Sequence, residues 1–218
     1  MAQDPKKFIP ALRFDFLTRF FDPLVRVTTR EYAFKQALVA QANLRNDQTI
    51  LDIACGTGTL AIAIKNRYPE ISVHAIDADA EILRIAQRKA AQNQKKIVFK
   101  QTFSDNLDYA DDTFDRVFST LFFHHLTLES KVKTFREILR VLKPNGEFHM
   151  ADFALPRNKT QFVLSKYVQI FDGYASTHDN LRGRLKLLME ENGFIEVERT
   201  GYFKTILGTI RLFKAKKL

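Results

Sequence analysis

The 218-residue sequence has a single cysteine, Cys55, and five histidines. One thiol can form neither an internal disulfide nor a thiolate metal site, and the histidines lack the paired spacing with nearby acids that a metal centre needs. No run of about 18 apolar residues is present, and the first residues lack the apolar core of a signal peptide. These absences predict a cytoplasmic protein without a bound metal.

Basic residues exceed acidic ones, and the formal net charge is +9. The excess lies at the two ends of the chain, because residues 51–152 carry 14 basic and 14 acidic side chains. Basic ends would suit an acidic substrate or contact with an anionic membrane surface, although a soluble basic surface explains them more simply. We expect no nucleic-acid partner, which would need basic residues along a groove with exposed aromatics. The oligomeric state is not indicated.

The most informative stretch of the chain is residues 49–64. Residues 49–53 predict a buried strand, and the residues from 60 onward predict a helix. Between them, Gly56 and Gly58 allow a sharp turn and the close approach of a ligand to the backbone. A strand, turn and helix of this kind direct free amides at a bound nucleotide, and the spacing of the glycines also fits the dinucleotide fingerprint.

The acid Asp52, inside the end of this strand, distinguishes between two classes of cofactor. A pyrophosphate-binding turn gains nothing from a negative charge beside two phosphates, whereas a cationic ligand does. S-adenosylmethionine carries an ammonium and a sulfonium group and no phosphate, so Asp52 favours it over a nicotinamide dinucleotide. Alternatively, the carboxylate only caps the amides of the turn.

A second acid, Asp77, ends the next apolar segment at residues 71–77, which predicts a second strand. Asp77 follows Gly58 by 19 positions. In both cofactor classes, an acid at this place accepts hydrogen bonds from ribose hydroxyls. The sequence therefore indicates an adenosine ligand in either case.

Four motifs occur in order at residues 51–58, 75–79, 114–126 and 141–147. They include the glycine turn, the acid after the second strand, a fourth predicted strand followed by His124 and His125, and a turn with proline and glycine. On these motifs the chain resembles the class I S-adenosylmethionine-dependent methyltransferases, and among them the ubiquinone/menaquinone-biosynthesis type. The resemblance covers residues 28–152 and implies S-adenosylmethionine as the cofactor.

The resemblance also implies an α/β fold, with a doubly wound, mostly parallel seven-stranded sheet and a closing antiparallel hairpin. The implied cofactor-binding positions are Asp52, Ala54, Gly56, Thr57, Gly58, Asp77, Ala78, Phe103, Ser104 and Thr120. The family usually has Asp or Asn, which bonds the adenine amine, at the position of Phe103. In this chain Phe103 would stack on the ring, or the backbone at Ser104 would hold the base.

Strands and helices alternate through the central chain, which predicts a parallel sheet. A capping box, Thr28-x-x-Glu31, opens a helix that ends near Ala42, and Asp79 is placed to cap another. The other predicted elements are strands at 97–101, 114–120 and 147–152, helices at 128–142 and 181–192, a turn at 143–146, and a hairpin of 194–202 with 205–215.

We interpret the chain as one domain with three parts, residues 1–45, 46–152 and 153–218. The middle part is the cofactor-binding core. In the resembling family the flanking parts select the substrate, and here each contains an apolar predicted helix, Pro10 to Phe21 and Thr160 to Phe171. The first is either an ordinary core helix or a lid over an apolar substrate. We expect it to cover a small and mostly apolar acceptor together with residues 155–180, which include the second helix.

The implied reaction is an in-line displacement in which a nucleophile attacks the sulfonium methyl group. Such a reaction gains most from alignment and exclusion of water, and a general base helps only where the acceptor must lose a proton. His124 is the favoured base because it lies just beyond the fourth strand. The other candidates are His125, His149, Asp152 and His178. Alternatively, His124 and His125 only orient the loop.

Two rival functions stay open for the chain as a whole. They are an NAD-dependent oxidoreductase and a non-catalytic adenosyl-binding protein.

Overall fold

A computed structural model describes residues 30–154, 183–205 and 208–218 of the chain. In chain order, the elements are α1 (Glu31–Gln41), β1 (Thr49–Ile53), α2 (Thr59–Arg67), β2 (Ser72–Asp77), α3 (Ala80–Gln92), β3 (Val98–Gln101), β4 (Phe114–Thr120), α4 (Leu128–Val141), β5 (Leu142–Ala154), α5 (Leu185–Glu191), β6 (Ile195–Lys204) and β7 (Thr209–Lys216). A short 3₁₀ turn, Phe123–His125, separates β4 from α4. Within the described ranges, no helix has the length and apolar character needed to cross a bilayer.

The strands form one sheet in the order β3-β2-β1-β4-β5-β7-β6. Strands β1 to β5 pair in parallel, and β7 runs antiparallel to both β5 and β6. Parallel neighbours need a crossover connection, which α2, α3 and α4 provide. The predicted doubly wound, mostly parallel seven-stranded sheet with a closing antiparallel hairpin is confirmed.

The strand order reverses at β1, which has β2 on one side and β4 on the other. In open parallel sheets, ligands bind at such a point, outside the carboxyl ends of the strands. The carboxyl end of β1 leads into the glycine turn, that of β2 is Asp77, and that of β4 is Thr120. The fold therefore brings the predicted site residues to one edge of the sheet.

Alternate residues of β1 pack on opposite faces of the sheet, as a strand requires. Leu51 and Ile53 join a core cluster with side chains of α4 and α5, whereas Ile50 joins a cluster with side chains of α1, α2 and α3. Complete burial of each such side chain contributes about 1.5–3 kcal/mol. Helices on both faces explain why the buried residues of this strand are apolar except at Asp52.

Helix α1 begins later than predicted. Its N-cap is Arg30, in a left-handed conformation (φ 55°) and without a side-chain cap, whereas the capping box put the N-cap at Thr28, which lies outside the described residues. Glu31 is therefore the first helical residue, and its carboxylate accepts hydrogen bonds from Lys35 and from the hydroxyl of Thr59. A tertiary contact thus uses the acid that the capping box needed.

The remaining boundaries lie close to the predicted ones. Asp79 caps α3 as expected, since its side chain accepts hydrogen bonds from two amides of the first turn. Strand β5 begins earlier than predicted because Leu142 already pairs with Phe114, and residues 143–146 interrupt the register instead of preceding the strand. Helix α5 begins later than predicted, at Leu185.

The two apolar segments assigned to a lid lie outside the described residues. They are the predicted helices Pro10 to Phe21 and Thr160 to Phe171, together with the rest of residues 155–180. The division of the chain at residues 45 and 152 into a core and two substrate-selecting parts therefore stays a prediction.

Candidate cofactor-binding site

The turn after β1 has the backbone conformations that its glycines allow. Gly56 (φ 54°) and Gly58 (φ 75°) are left-handed. Ala54 (φ 53°) is too, at a cost of about 1–2 kcal/mol for a residue with a side chain. A carbon added at Gly58 would come within 3.2 Å of Cβ of Ala86 in α3, whereas one added at Gly56 would meet nothing within 4 Å. The space in front of Gly56 is open to a ligand, and Gly58 permits close packing of the turn on α3.

Asp77 at the end of β2 holds this turn in place. One carboxylate oxygen accepts a hydrogen bond from the amide of Gly56 at 2.9 Å, and the other from the amide of Asp79 at 3.0 Å. Burial raises the pKa of Asp77, and these two amides partly oppose the rise. Each oxygen has a second lone pair, so Asp77 can also accept from a ligand hydroxyl. The sequence predicted the ligand contact but not the bond to Gly56.

Asp52 is fully buried, and neither carboxylate oxygen has a hydrogen-bond partner among the described residues. Burial raises the pKa of Asp52 to about 7, Lys35 opposes the rise, and Asp77 adds to it. The backbone amide of Ala61 has the smallest effect and lowers the pKa of Asp52, but it does not form a hydrogen bond with either carboxylate oxygen. Since no amide of the turn bonds to Asp52, the interpretation that it only caps the turn is wrong. In its ionised form, a buried carboxylate of this kind is stabilised by a cationic partner.

Helix α1 contributes a charged pair that the sequence interpretation did not place in the site. Glu31 accepts a hydrogen bond from the hydroxyl of Thr59 at 2.9 Å, and Lys35 donates to both residues. Thr59 is the first residue of α2, directly after the glycine turn. The four-residue spacing of Glu31 and Lys35 is visible in the sequence, but only the packing of α1 brings the pair to the turn.

Carboxyl groups outnumber ammonium groups around the turn by three to two among the described residues. They are the carboxyl groups of Glu31, Asp52 and Asp77 and the ammonium groups of Lys35 and Lys89. The last of these reaches the turn through a hydrogen bond of 2.9 Å to the hydroxyl of Thr57. This balance suits a cationic ligand and disfavours the two phosphates of a dinucleotide.

Residues 102–104 extend from β3 toward the same edge. The amide of Thr102 donates to the backbone oxygen of Asp77 at 3.1 Å. The side chain of Phe103 is 44% exposed, whereas the hydroxyl of Ser104 pairs with that of buried Thr134 at 2.9 Å. Ser104 therefore offers a ligand its backbone and not its side chain.

Beyond β4, the 3₁₀ turn is held by Asp152 of β5. Its fully buried carboxylate accepts hydrogen bonds from the amide of Phe123 at 2.6 Å and from Nδ1 of His124 at 2.7 Å. Burial acts to raise the pKa of Asp152, but His124 and the amide of Phe153 bring it below its ordinary value. Asp152 therefore orients His124. This role corrects the interpretation of Asp152 as a candidate base.

The bond to Asp152 would select, in a neutral His124, the tautomer that a general base requires. An ionised Asp152 accepts a hydrogen bond from Nδ1, which places the lone pair of a neutral imidazole on Nε2. The side chain is buried, and its ring centroid lies 3.9 Å from that of His125. The bond to Asp152 serves equally well if His124 only orients the loop, so its catalytic role stays a prediction.

Of the two remaining histidine candidates, His149 and His178, the structure describes the first. His149 is fully buried within the sheet, with Nδ1 3.1 Å from the amide nitrogen of Gln41 and Nε2 3.1 Å from the carboxylate of Glu147. Both ring nitrogens are engaged, so His149 is not a base for a ligand. His178 lies outside the described residues. In the part of the chain that the structure describes, no group of three or more His, Cys, Asp or Glu side chains could hold a metal ion.

Comparison with known proteins decides the family. A family model described as a methyltransferase domain matches residues 50–146. The chain is 30% identical to the ubiquinone/menaquinone biosynthesis C-methyltransferase UbiE of Geotalea daltonii, over 74% of this chain and 65% of that protein. It is also 30% identical to the demethylmenaquinone methyltransferase of Lactobacillus johnsonii, over 67% of this chain and 68% of that protein. The chain belongs to the class I S-adenosylmethionine-dependent methyltransferases.

The solved structures agree with the fold of this methyltransferase. A SAM-dependent methyltransferase from Aquifex aeolicus is similar with a TM-score of 0.70 at 19% identity, over 94% of this chain and 100% of that one. The predicted family and its cofactor, S-adenosylmethionine, are confirmed. Neither rival, an NAD-dependent oxidoreductase or a non-catalytic adenosyl-binding protein, is favoured.

Proposed function

We propose that this methyltransferase transfers the methyl group of S-adenosylmethionine to a small, mostly apolar acceptor by in-line displacement. The observation that carries the proposal is Asp52, a fully buried carboxylate that lacks a hydrogen-bond partner in the described chain. It lies directly before a turn whose space at Gly56 is open. The ammonium group of the cofactor is the cation that this carboxylate needs, and the bound cofactor supplies the sulfonium methyl group.

Each cofactor contact is assigned by the group that the residue offers. Asp52 pairs with the ammonium group, Asp77 accepts from the ribose hydroxyls, and Phe103 with the backbone of Ser104 holds the base. Gly56 lets the backbone approach the ligand. The remaining predicted positions, Ala54, Thr57, Gly58, Ala78 and Thr120, frame the same edge of the sheet.

One observation supports a lipophilic acceptor, and a second supports a negative charge on the acceptor or on a membrane surface nearby. The relatives are named for ubiquinone and menaquinone biosynthesis and for demethylmenaquinone, which are lipophilic quinones. Residues 153–218 carry 12 basic and 6 acidic side chains, which supports an acceptor with a negative group or contact with an anionic membrane surface. The acceptor and the place of the protein in the cell stay predictions.

The acceptor is proposed to lie beyond β4 and β5. His124 there would remove a proton from a phenol or an activated carbon acid, with Asp152 fixing its tautomer. Strand β5 ends at Ala154, two residues beyond Asp152, and residues 155–180 follow it in the chain. This connection supports their assignment, with residues 1–22, as a cover that excludes water.

The experiment that tests the function supplies the protein with methyl-labelled S-adenosylmethionine and a metabolite extract. The label should appear in a small molecule of the organic phase, and its identification by mass spectrometry gives the acceptor. Asp52→Asn is the matched control, since it keeps the shape of the side chain and removes its charge. Label confined to protein or nucleic acid would contradict the proposed acceptor class, and tight cofactor binding without any transfer would indicate a non-catalytic protein.

A further inference from the structure

The base of the cofactor would lie on the β3 side of the site. Strand β3 adjoins β2 on the side away from β1, and its extension is tied to Asp77 by the 3.1 Å bond from the amide of Thr102. If the ammonium group is at Asp52 in β1 and the ribose at Asp77 in β2, adenine continues in the same direction to residues 102–104. This placement rests on the proposed function, because it assumes that the cofactor occupies this edge.

The polar side chains of residues 102–104 are engaged within the protein. The hydroxyl of Thr102 donates to the backbone oxygen of Asn106 at 3.1 Å. The hydroxyl of Ser104 pairs with that of Thr134, which is fully buried. Turning Ser104 toward a ligand would leave a buried hydroxyl unpaired, which is unfavourable. Phe103 is therefore the side chain of this segment that is presented outward.

The loop after Ser104 is held in place by hydrogen bonds to side chains of α4. The amide of Leu107 donates to the carboxylate of Glu137 at 2.7 Å, and Arg140 donates to the backbone oxygen of Leu107 at 2.8 Å. The next acid, Asp105, lies close enough to α4 to contribute, after a nearer glutamate, to the raised pKa of Lys133. The loop is thus fixed with its first acid near α4.

We propose that Phe103 makes this site recognise the face of the purine ring and not its 6-amino group. An aromatic ring stacks on any base, because every base has a π-face. A carboxylate or amide at this position would accept a hydrogen bond from the amino group, and residues 102–104 offer no such side chain. This methyltransferase therefore binds cofactor analogues that are altered at the 6-position of the purine.

Calorimetry with three ligands tests the inference on the unmodified protein. They are S-adenosylhomocysteine, its 6-deamino analogue and its N6-methyl analogue. Both analogues should bind within about threefold of the parent ligand, since stacking does not depend on the amino group. A hydrogen bond to that group would instead make the deamino analogue bind about tenfold or more weakly than S-adenosylhomocysteine. Rejection of the deamino analogue beside tight binding of S-adenosylhomocysteine would overturn this inference and leave the proposed function intact.

Two variants at the same position separate stacking from amino-group recognition. Phe103→Leu keeps an apolar side chain without a ring and should weaken all three ligands equally, by about tenfold. Phe103→Asp should create a preference of about tenfold or more for S-adenosylhomocysteine over the deamino analogue. Unchanged affinities in Phe103→Leu would contradict the role of Phe103. Failure of the unmodified protein to bind S-adenosylhomocysteine would overturn both this inference and the proposed function.

Discussion

The carboxylate of Asp77 accepts a hydrogen bond from the amide of Gly56 at 2.9 Å, so the residue assigned to the ribose also braces the turn that faces the cofactor. Asp77→Ala should weaken the binding of S-adenosylhomocysteine by about 1.5–3 kcal/mol, the range for hydrogen bonds to charged groups. Calorimetry measures the change. Asp77→Asn keeps one acceptor oxygen and should lose less. Unchanged affinity in Asp77→Ala, or tight NAD binding by the unmodified protein, would contradict the assignment.

Asp52 should make cofactor binding depend on pH. Burial raises the pKa of its carboxyl group to about 7, and the group must be ionised to pair with an ammonium ion. The α-amino group of the ligand loses its proton near pH 8 in turn. Affinity for S-adenosylhomocysteine should therefore be highest between about pH 7 and 8 and fall by up to about tenfold per pH unit below that range. Asp52→Asn should abolish the fall on the acid side but not the fall on the alkaline side.

The raised pKa of Asp52 also makes the stability of the unliganded protein depend on pH. Its contribution to stability falls as the pH rises through that pKa, whereas cofactor affinity increases. Because the folded-state pKa lies above the ordinary 3.8, the stabilising contribution of Asp52 is complete below that pH and is lost as the pH rises through 7. The free energy of unfolding of Asp52→Asn, relative to the unmodified protein, should grow by about 2–3 kcal/mol from pH 5 to pH 8. Urea unfolding at both pH values measures it. A constant difference would show that the pKa of Asp52 is not raised.

His124 should serve the acceptor and not the cofactor. His124→Ala should lower turnover by about a hundredfold, a typical contribution of general base catalysis, while affinity for S-adenosylhomocysteine stays near the original value. His125→Ala is the matched control at the neighbouring position, because it leaves the bond between His124 and Asp152 in place. Loss of cofactor binding in His124→Ala, without a specific effect on turnover, would reverse the assigned roles.

The two glycines of the turn should respond differently to alanine. Both are left-handed, so each substitution costs about 1–2 kcal/mol of backbone strain. Gly58→Ala adds a contact at 3.2 Å with Ala86 and should destabilise the fold more than Gly56→Ala, whose new carbon meets only open space. Gly56→Ala should instead lose cofactor affinity. Thermal unfolding and calorimetry on both variants test this, and equal losses of stability and affinity in the pair would contradict it.

Removing residues 1–22 should abolish methyl transfer and leave cofactor affinity within a few-fold. Five of the 20 phenylalanines lie in residues 8–21, which favours contact with an apolar acceptor, whereas the turn at Gly56 and the acid at Asp77 remain. Labelled transfer and calorimetry on the shortened chain measure the two properties separately. Full activity, or loss of the cofactor together with activity, would contradict the division into a cofactor core and an acceptor cover.

The local part of this structure could be predicted from the sequence. The left-handed turn at Gly56 and Gly58 follows from the residues themselves, because they determine which backbone angles cost little. Asp79 caps its helix through amides two and three residues away. Apolar strands and amphipathic helices alternate along the central chain, and this order predicted the parallel sheet. Each element must bury one or both of its faces, which such a sheet with helices on its two sides allows. Asp52 and Asp77 could be placed at one edge of the sheet because each lies near the carboxyl end of a predicted parallel strand.

The hydrogen bonds that position the side chains of the site depend on the tertiary structure. Asp77 bonds to Gly56, Asp152 to His124 and Glu31 to Thr59. Each pair joins residues more than 20 positions apart, which no local pattern specifies. The start of α1 at Glu31, whose carboxylate bonds to Thr59 of α2, was also not predicted from the sequence. Strand order determines which side chains meet at the carboxyl edge, and it follows from the packing of the whole core.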